Sequence, residues 1–355
     1  MSIKKISEMT GVSISTVSRV LSKPDYKCSS LEIREKIFAA ARELNYVPNE
    51  SAKNLRKGSP DKAEVYRLTM LVTRTDSNET DPFFSELISM IRSEINRNMC
   101  ILTGILYHSE FSDEVKCSSM DLKTAVRNLK KDDNSNGLII VGKCCPQVIR
   151  QLKINWKNII SINRNSTNYE VDEVICDGRK IAASAVEYLI RLGHRKIAYV
   201  GECHNEARFK GYQETLLKNN IEYDIDYIFQ TSLSESGGYD AMERIMQMTN
   251  QPTGIYCAND IIAIGMLKSF SRYRNRYYNP SIISSDDIAE ARYTKPMLTT
   301  IRLPKEEMAR FAVFLLLDRI RGVHKSVVRM ELEGELVIRS SCSPINDSYM
   351  IEYFI

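Results

Sequence analysis

A short N-terminal segment, Ser13–Arg19, carries the side chains of this sequence that are best suited to contact nucleic acid. Its hydroxyl groups can bond phosphates or base edges, and they belong to Ser13, Ser15, Thr16 and Ser18. Arg19 can bind guanine bidentately or clamp a phosphate, and Ile14 can lie against a thymine methyl group. The segment indicates DNA binding; a protein-interaction module with a solvated arginine is the alternative.

The residues around this segment predict a helix-turn-helix that would hold it. Gly11 can end a first helix in the left-handed conformation, and Ser13 can cap a second helix that runs from Ile14 to Leu21. A third helix is expected between Ser30, as its cap, and Asn45. The apolar residues at helical spacing are Ile6 and Met9, then Val17, Val20 and Leu21, then Ile33, Ile37, Ala41 and Leu44. We expect them to form one small core.

The charge of the chain is divided unevenly. Residues 1–60 hold eleven Lys and Arg against six Asp and Glu, whereas the other 295 residues hold 38 against 39. The excess positive charge therefore lies in the first sixth of the chain, which is typical of a polyanion-binding headpiece on a neutral body. A basic solvated face without a partner would show the same charge.

The rest of the chain alternates short apolar strands with amphipathic helices. The predicted strands are Leu68 to Thr73, Cys100 to Leu106, Gly137 to Val141, Asn158 to Ile162, Lys196 to Val200, Gly254 to Cys257 and Ser281 to Ser284. The predicted helices include Phe84 to Arg97, Arg179 to Leu192, Ala207 to Lys218, Gly238 to Met248 and Ile261 to Arg272. This pattern predicts an α/β fold with parallel sheets in two lobes, and ligands in such folds bind at the carboxyl ends of the strands.

Several function classes lack their usual signals. The nine cysteines form no CxxC pair, the four histidines are not spaced for zinc, and we expect no metal and no cofactor. The motifs GxxxxGK[ST], GxGxxG and GxSxG do not occur, so we expect no catalytic residues. No apolar run approaches the ~20 residues of a membrane-spanning helix, and no export signal is visible. We expect a cytoplasmic protein without a membrane partner.

The N-terminal part of the chain resembles the headpiece of the lactose-repressor (LacI/GalR) family of transcriptional regulators. The resemblance is carried by the segments Gly11 to Leu21 and Arg34 to Asn49, followed by Ala52 and Leu55. The resemblance covers about 55 residues at the family's spacing. It implies that the positions of Ile14, Ser15 and Arg19 read bases in the major groove.

A further short helix is predicted after Pro48. The stretch Asn49 to Arg56 can be capped by Asn49 and is close to the length at which an isolated helix is marginal. The resemblance implies a hinge helix that pairs with its dimer mate in the minor groove, where Leu55 would wedge between base pairs and Ala52 would face the groove. A plain linker is the alternative.

The body resembles the effector domain of the same family, which is related in fold to periplasmic sugar-binding proteins. The segments that carry this resemblance are Asp81 to Phe84, Leu192 to Gly201, Arg208 to Tyr212, Ala258 to Gly265, Ser285 to Asp287 and Pro296 to Arg302. It implies that Arg208, Asn259 and Asp286 hold effector hydroxyls, with Asn163 as a further candidate. Phe83 or Phe84 would supply an apolar face for a ring.

Other residues in these segments have structural interpretations. We expect His194 to be structural, Tyr212 to be a core residue, and Asp260 to cap the helix that begins at Ile261. Arg208 could instead be a surface residue paired with Glu206. The pair Asp177-Gly178 departs from the family's Asp-Asn-x-x-Gly pattern, and the loop from Arg74 to Asp81 resembles members related to the evolved β-galactosidase repressor.

These observations predict a domain order and a function. We expect a helix-turn-helix domain at residues 1–47, a hinge helix and linker at 48–65, a two-lobed effector-binding and dimerisation domain at 66–341, and a tail at 342–355 without a coiled-coil heptad. The predicted function is a homodimeric repressor of carbohydrate-utilisation genes that binds a pseudo-palindromic operator under the control of a small sugar or glycoside. A sugar kinase with a helix-turn-helix headpiece and a ligand-binding module are the alternatives.

Overall fold

The computed structural model describes residues 3–22, 31–44, 65–75, 81–130, 134–273 and 278–345. The chain divides into two compact units, residues 1–65 and 66–355. The first contains the helix-turn-helix and the second contains two parallel α/β lobes, so the predicted fold class is confirmed. The predicted hinge residues Asn49, Ala52 and Leu55 lie outside the described residues.

The first unit consists of three helices around one core. The helices are α1 (Ile3–Thr10), α2 (Ile14–Ser22) and α3 (Leu31–Glu43). Their buried residues are Ile6, Val17, Val20, Ile37, Ala40 and Ala41. Each helix is too short to be stable by itself, so this shared core holds the unit together.

The turn between α1 and α2 has the predicted chemistry. Gly11 adopts a φ of +68°, where a side chain would be strained, and the Ser13 Oγ accepts a hydrogen bond from the backbone N of Thr16 at 3.3 Å. The prediction for Met9 is wrong, because this side chain is 47% exposed. The chain turns at Gly11, and Val12 packs against the core instead.

The first lobe of the second unit is built around a six-stranded parallel sheet with the strand order β11-β5-β4-β3-β1-β2. Its strands are β1 (Arg67–Val72), β2 (Ile101–Tyr107), β3 (Gly137–Val141), β4 (Ile159–Asn163), β5 (Asp172–Ile175) and β11 (Arg329–Glu331). Its helices are α4 (Pro82–Arg97), α5 (Glu114–Ser119), α6 (Leu122–Lys130), α7 (Pro146–Asn155) and α12 (Lys305–Ile320).

The second lobe has a six-stranded sheet with the order β12-β10-β9-β8-β6-β7, in which β12 alone runs antiparallel to its neighbour. Its strands are β6 (Ile197–Gly201), β7 (Ile228–Gln230), β8 (Gly254–Cys257), β9 (Ser281–Asp286), β10 (Thr299–Arg302) and β12 (Glu335–Val337). Its helices are α8 (Gly178–Arg191), α9 (Ala207–Lys218), α10 (Glu235–Met246) and α11 (Asp260–Tyr273).

The chain passes between the lobes at three places in the described residues. It leaves the first lobe after β5, returns between β10 and α12, and leaves again between β11 and β12. Hinged two-lobed binding proteins also have short crossings between their lobes. The crossings of this chain bring residues that follow the strands of both sheets to one cleft.

The seven predicted strands are present, but β5, β7, β10, β11 and β12 were not recognised from the sequence. The first residues of β5, Asp172 and Glu173, are buried carboxylates, unlike the apolar residues that mark the predicted strands. Arg319 donates to Asp172, and the hydroxyl of Thr167 donates to Glu173 at 2.8 Å. These pairings compensate the cost of burial and make a polar strand stable in the sheet.

Other structural predictions for the body are confirmed. His194 is buried and bonded to the Ser281 hydroxyl and the Ser343 carbonyl, and Tyr212 is a core residue. Eight of the nine cysteines lie in the described residues; five are buried and three are half-buried, as a structural role requires. No helix in the described part of the chain is long and apolar enough to cross a membrane.

The helices α10 and α11 pack so closely that glycine is required at their contact. A Cβ at Gly265 would lie 1.9 Å from the Glu235 carbonyl oxygen, and one at Gly238 would lie 2.0 Å from the Ile262 carbonyl oxygen. Both clashes are with backbone atoms, which cannot rotate away. The two helices must therefore separate to admit any side chain.

We expect Gly265→Ala to lower the free energy of unfolding by about 2 kcal/mol, because the helix separation outweighs the ~1 kcal/mol gained from better helix propensity. Urea denaturation of the purified chain measures this change. Gly104→Ala is the control, since a Cβ at Gly104 meets nothing within 4 Å. Equal stability of the two variants would contradict the packing argument.

Candidate functional site

The outer face of α2 presents the predicted base-reading residues to solvent. Ile14 is 41% exposed, and Ser15 and Arg19 are exposed, whereas Val17 and Val20 fill the core. The hydroxyls of Ser15 and Thr16 bond to the Ser13 hydroxyl at the start of the helix, and Ser18 is half-buried. An exposed isoleucine contributes nothing to the core of the first unit, as expected of a residue that contacts a partner.

In the second unit, ion pairs join the two lobes across the cleft. Arg74 follows β1, and its Nη1 lies 2.7 Å from the Oε2 of Glu202, which follows β6 in the other lobe. The Nη2 of Arg74 lies 3.2 Å from Glu206, and the Nζ of Lys143, which follows β3, lies 3.2 Å from Glu202. The carboxyl ends of the two sheets therefore face each other, with cations on the first lobe and carboxylates on the second.

Arg208 lies in the first turn of α9 and is buried rather than on the surface. Its side chain is 1% exposed, its Nε lies 2.8 Å from Glu206, and its Nη1 donates to the Ala258 carbonyl at 2.5 Å. Burial acts to raise the pKa of Glu206, but Arg208 and Arg74 outweigh it and lower this pKa to about 2. The pair is therefore ionised, and it fixes the position of the guanidinium.

Asn259, and not Asp260, caps the helix α11. The Oδ1 of Asn259 accepts from the backbone N of Ile262 at 3.1 Å, so Asn259 caps α11. Asp260 is the first residue of α11, and its carboxylate accepts from Thr300 and from the backbone N of Ile288. The prediction that Asp260 caps this helix is wrong, because its side chain turns inward to tie β9 and β10 together.

Asp286 ends β9 in an unusual backbone conformation. Its φ is +132°, which strains a residue with a side chain, and such strain is concentrated at functional sites. Its Oδ1 accepts a hydrogen bond from the Nη2 of Arg164, the residue that follows β4 in the first lobe. Burial raises the pKa of Asp286 to about 7 even though Arg164 acts to lower it. The carboxylate is therefore held at a cost to folding.

Four of the predicted effector residues line one small cavity between the lobes. They are Phe83, Phe84, Asn163 and Arg208. The cavity is about 20 Å³, which is room for about one water molecule. Arg164 also lines this cavity, and the Cζ of its guanidinium lies 4.1 Å from the centre of the Phe83 ring. The other two predicted effector residues, Asp286 and Asn259, are not among the lining residues. Asp286 bonds Arg164, which lines the cavity, and Asn259 follows Ala258, whose carbonyl accepts from Arg208.

Sequence reasoning missed Arg164, Arg74 and Lys143. The available signal was the polar run Asn163-Arg164-Asn165 directly after a buried strand, since ligand-binding residues follow strands in this class of fold. In the described residues, no group of three or more His, Cys, Asp or Glu is placed to hold a metal ion. The chemistry of the cleft is that of hydrogen bonds and ion pairs.

Comparison with known proteins gives two family matches. The family described as "Bacterial regulatory proteins, lacI family" matches residues 2–49, and "Periplasmic binding protein-like domain" matches residues 186–342. The HTH-type transcriptional repressor CytR of Escherichia coli (strain K12) is 28% identical over 96% of this chain and 95% of its own length. This chain belongs to the LacI family. It is therefore a DNA-binding transcriptional regulator and not an enzyme.

Solved structures agree with the fold of this LacI-family regulator. The complex of the transcriptional regulator CelR with cellobiose superposes with a TM-score of 0.66 at 21% identity, over 96% of this chain and 100% of that one. The structure of the Lac repressor dimer bound to operator and the anti-inducer ONPF superposes with a TM-score of 0.65 at 24% identity. The match covers 96% of this chain and 98% of that one. Because each comparison covers 96% of this chain, it spans both the helix-turn-helix and the two-lobed body.

The raised pKa of Asp286 predicts how the stability of this LacI-family regulator depends on pH. The pKa is about 7 in the folded chain against ~3.9 when unfolded, so the folded state favours the protonated form. The stability contributed by this group is complete below about pH 4 and is lost as the pH rises to about 7. Urea denaturation measures the free energy of unfolding at pH 5 and at pH 8. From pH 5 to pH 8 this free energy should fall by at least ~1 kcal/mol more for the natural chain than for Asp286→Asn. Equal falls would contradict this assignment.

Proposed function

We propose that this LacI-family regulator is a homodimeric repressor of carbohydrate-utilisation genes whose operator affinity is set by a small sugar or glycoside. One observation carries the proposal: a helix with an exposed, non-core recognition face precedes a two-lobed body whose cleft collects hydrogen-bonding side chains from both sheets. The first part suits a DNA groove and the second suits a polyhydroxylated ligand. We place the protein in the cytoplasm, where its DNA is.

In the proposed DNA complex, α2 lies in the major groove. Ile14, Ser15, Ser18 and Arg19 would meet bases and phosphates, while Ser13 and Thr16 hold the start of the helix. The net charge of +5 on residues 1–60 would supply sequence-independent attraction to the phosphates. A two-fold dimer then binds a pseudo-palindromic operator with one headpiece on each half-site.

We further propose the domain boundaries given by the sequence. Residues 1–47 would bind DNA, 48–65 would form the hinge, with Asn49 as its cap, Ala52 toward the groove and Leu55 as the wedge, and 66–341 would bind the effector and dimerise. The tail, 342–355, has no assigned role. Because a hinge of this length is a marginal helix, a small change in the separation of two hinges can decide whether they fold on DNA.

The effector would bind between the lobes. Phe83 and Phe84 offer apolar ring faces, and Asn163 and Arg208 offer hydrogen-bonding groups in the cavity lining. Asn259 and Asp286 would add hydrogen-bonding groups from just behind this lining. The cellobiose in the CelR complex supports a sugar as the ligand class. Since the cavity has room for about one water, the lobes must open or side chains must move to admit a sugar. Binding thereby changes the arrangement of the lobes, which is the signal to the headpieces.

The exposed residue Ile14 gives a test of the DNA-binding face. We expect Ile14→Ala to weaken operator binding roughly tenfold or more, because a dimer loses an apolar contact with a base at both half-sites. Fluorescence anisotropy with an operator found by genomic footprinting measures this loss. Met9→Ala removes an apolar side chain of similar exposure from α1 and should leave the affinity unchanged. An unchanged affinity for Ile14→Ala would remove α2 from the interface.

Asp286 gives a test of the effector site. We expect Asp286→Ala to abolish the change in operator affinity that the natural effector produces, because a hydroxyl acceptor is lost, while binding of the effector-free protein to operator is kept. The same anisotropy assay with and without metabolite extract measures both quantities. A full effector response in the variant would exclude Asp286 from ligand binding.

A further inference from the structure

The side chain of Arg164 reaches the cavity with part of its hydrogen-bonding capacity unused. Its side chain is 9% exposed, and its Nη2 donates to Asp286 in the other lobe. Its Nε is buried and has no hydrogen-bond partner. Burying a donor without an acceptor destabilises a fold, so an orphan donor at a ligand cavity indicates an acceptor that comes from outside the protein.

The geometry of the guanidinium narrows the class of that acceptor. Nε and Nη2 lie on the same edge of the planar group, and their two N–H bonds are parallel. This edge binds both oxygens of a carboxylate or phosphate in a fork. Asp286 accepts only from Nη2, so the ion pair between the lobes is monodentate, although this edge of the guanidinium can bind a bidentate partner.

The wall of the cavity is cationic. Arg74, Lys143, Arg164 and Arg208 line it, and no Asp or Glu is among its described lining residues. The carboxylates that balance these charges, Glu202, Glu206 and Asp286, lie behind the cations on the second lobe. Asp81, which caps α4, is a further acid near Arg164, but burial raises its pKa. The charged side chains that line the cavity itself are therefore all positive.

A neutral sugar satisfies this site only in part. Its hydroxyls can bond the second carboxylate oxygen of Asp286 and can accept from the Nε of Arg164, but they bring no negative charge to a cavity lined by four cations. A ligand that brings an oxyanion supplies a charged acceptor for the Nε of Arg164, and charge-assisted hydrogen bonds are the stronger ones.

We propose that the effector is a hydroxylated ring bearing an oxyanion, a carboxylate or a phosphate, and that Arg164 is the residue that selects it. The oxyanion accepts from the unused Nε of Arg164, while the guanidinium stays on the Phe83 ring. Asp286 keeps its bond to Nη2, and its second carboxylate oxygen can accept from a ring hydroxyl. This inference rests on the proposed function, since it names the chemistry of the same effector.

The test compares neutral and acidic forms of the same sugars with the full-length chain. Glucose, galactose and mannose, their uronic acids and their 6-phosphates are titrated at matched ionic strength, with binding followed by calorimetry and by thermal unfolding. We expect at least one acid to bind about tenfold or more tightly than its neutral parent. The uronic acid and phosphate arms distinguish the two sources of the oxyanion. Neutral parents that bind as tightly as the acids, or acids without effect at millimolar concentration, would overturn the proposal.

Variants of Arg164 test its role directly. We expect Arg164→Met to weaken binding of the acid about 30-fold or more, with the neutral parent unaffected or improved, and Arg164→Lys, which keeps the charge but loses the fork, to fall between. Arg319→Met is the matched control: it breaks a buried pair with Asp172 in the same lobe, away from the cavity. Should Arg164→Met fail to fold, Arg164→Lys carries the test. An acid preference retained by the variants would show that Arg164 only ties the lobes together.

An operator-binding assay on the same preparation separates this inference from the proposed function. If the chain shows no preference for any operator over random duplex, the proposed function fails. If it binds an operator and responds equally to neutral and acidic sugars, the function stands and the selection by Arg164 is refuted.

Discussion

The body of this protein depends on buried charges that face each other across the cleft between its lobes. Taking a guanidinium and a carboxylate out of water costs several kcal/mol for each ion, and their attraction repays this cost only when the geometry is good. Arg208 and Glu206, which lie two positions apart on the second lobe, have such geometry, and Arg208 together with Arg74 from the first lobe lowers the pKa of Glu206 to about 2. Arg164 and Asp286, which do lie on opposite lobes, do not repay the cost, because burial raises the pKa of Asp286 to about 7. The first pair stabilises the second lobe, whereas the second pair is held against the cost of burial.

This difference suits a protein that must change shape. Three crossings join the lobes, and in two-lobed binding proteins such crossings absorb hinge motion. A ligand shifts an equilibrium between two arrangements only by the difference in its affinity for them. In the effector response that we propose, the strained φ of Asp286 and the unpaired Nε of Arg164 are the contacts that a ligand would change.

The sequence predicts well whatever depends on neighbouring residues. Gly11 and Ser13 define the turn before α2 through their own backbone and side-chain chemistry, and the apolar strands of the body are recognisable one by one. It fails where a distant partner decides. β5 was missed because Asp172 is stabilised by Arg319, 147 positions away, and Met9 was misassigned because the path of the chain after Gly11 sets which face is covered. Local periodicity contains neither fact.

The candidate site shows the same division. Arg208, Asn163 and Phe83 follow strands or begin helices, so their convergence follows from the order of elements in a parallel sheet. Arg164 also follows a strand, but its interest lies in its Nε, which is buried without an acceptor. A missing hydrogen bond of this kind can be recognised only in the folded structure. A sequence can thus show which strand ends form a pocket. The charge of a ligand that fits the pocket depends on which of those side chains already pair with one another. Those pairings depend on distances across the cleft, which the sequence does not contain.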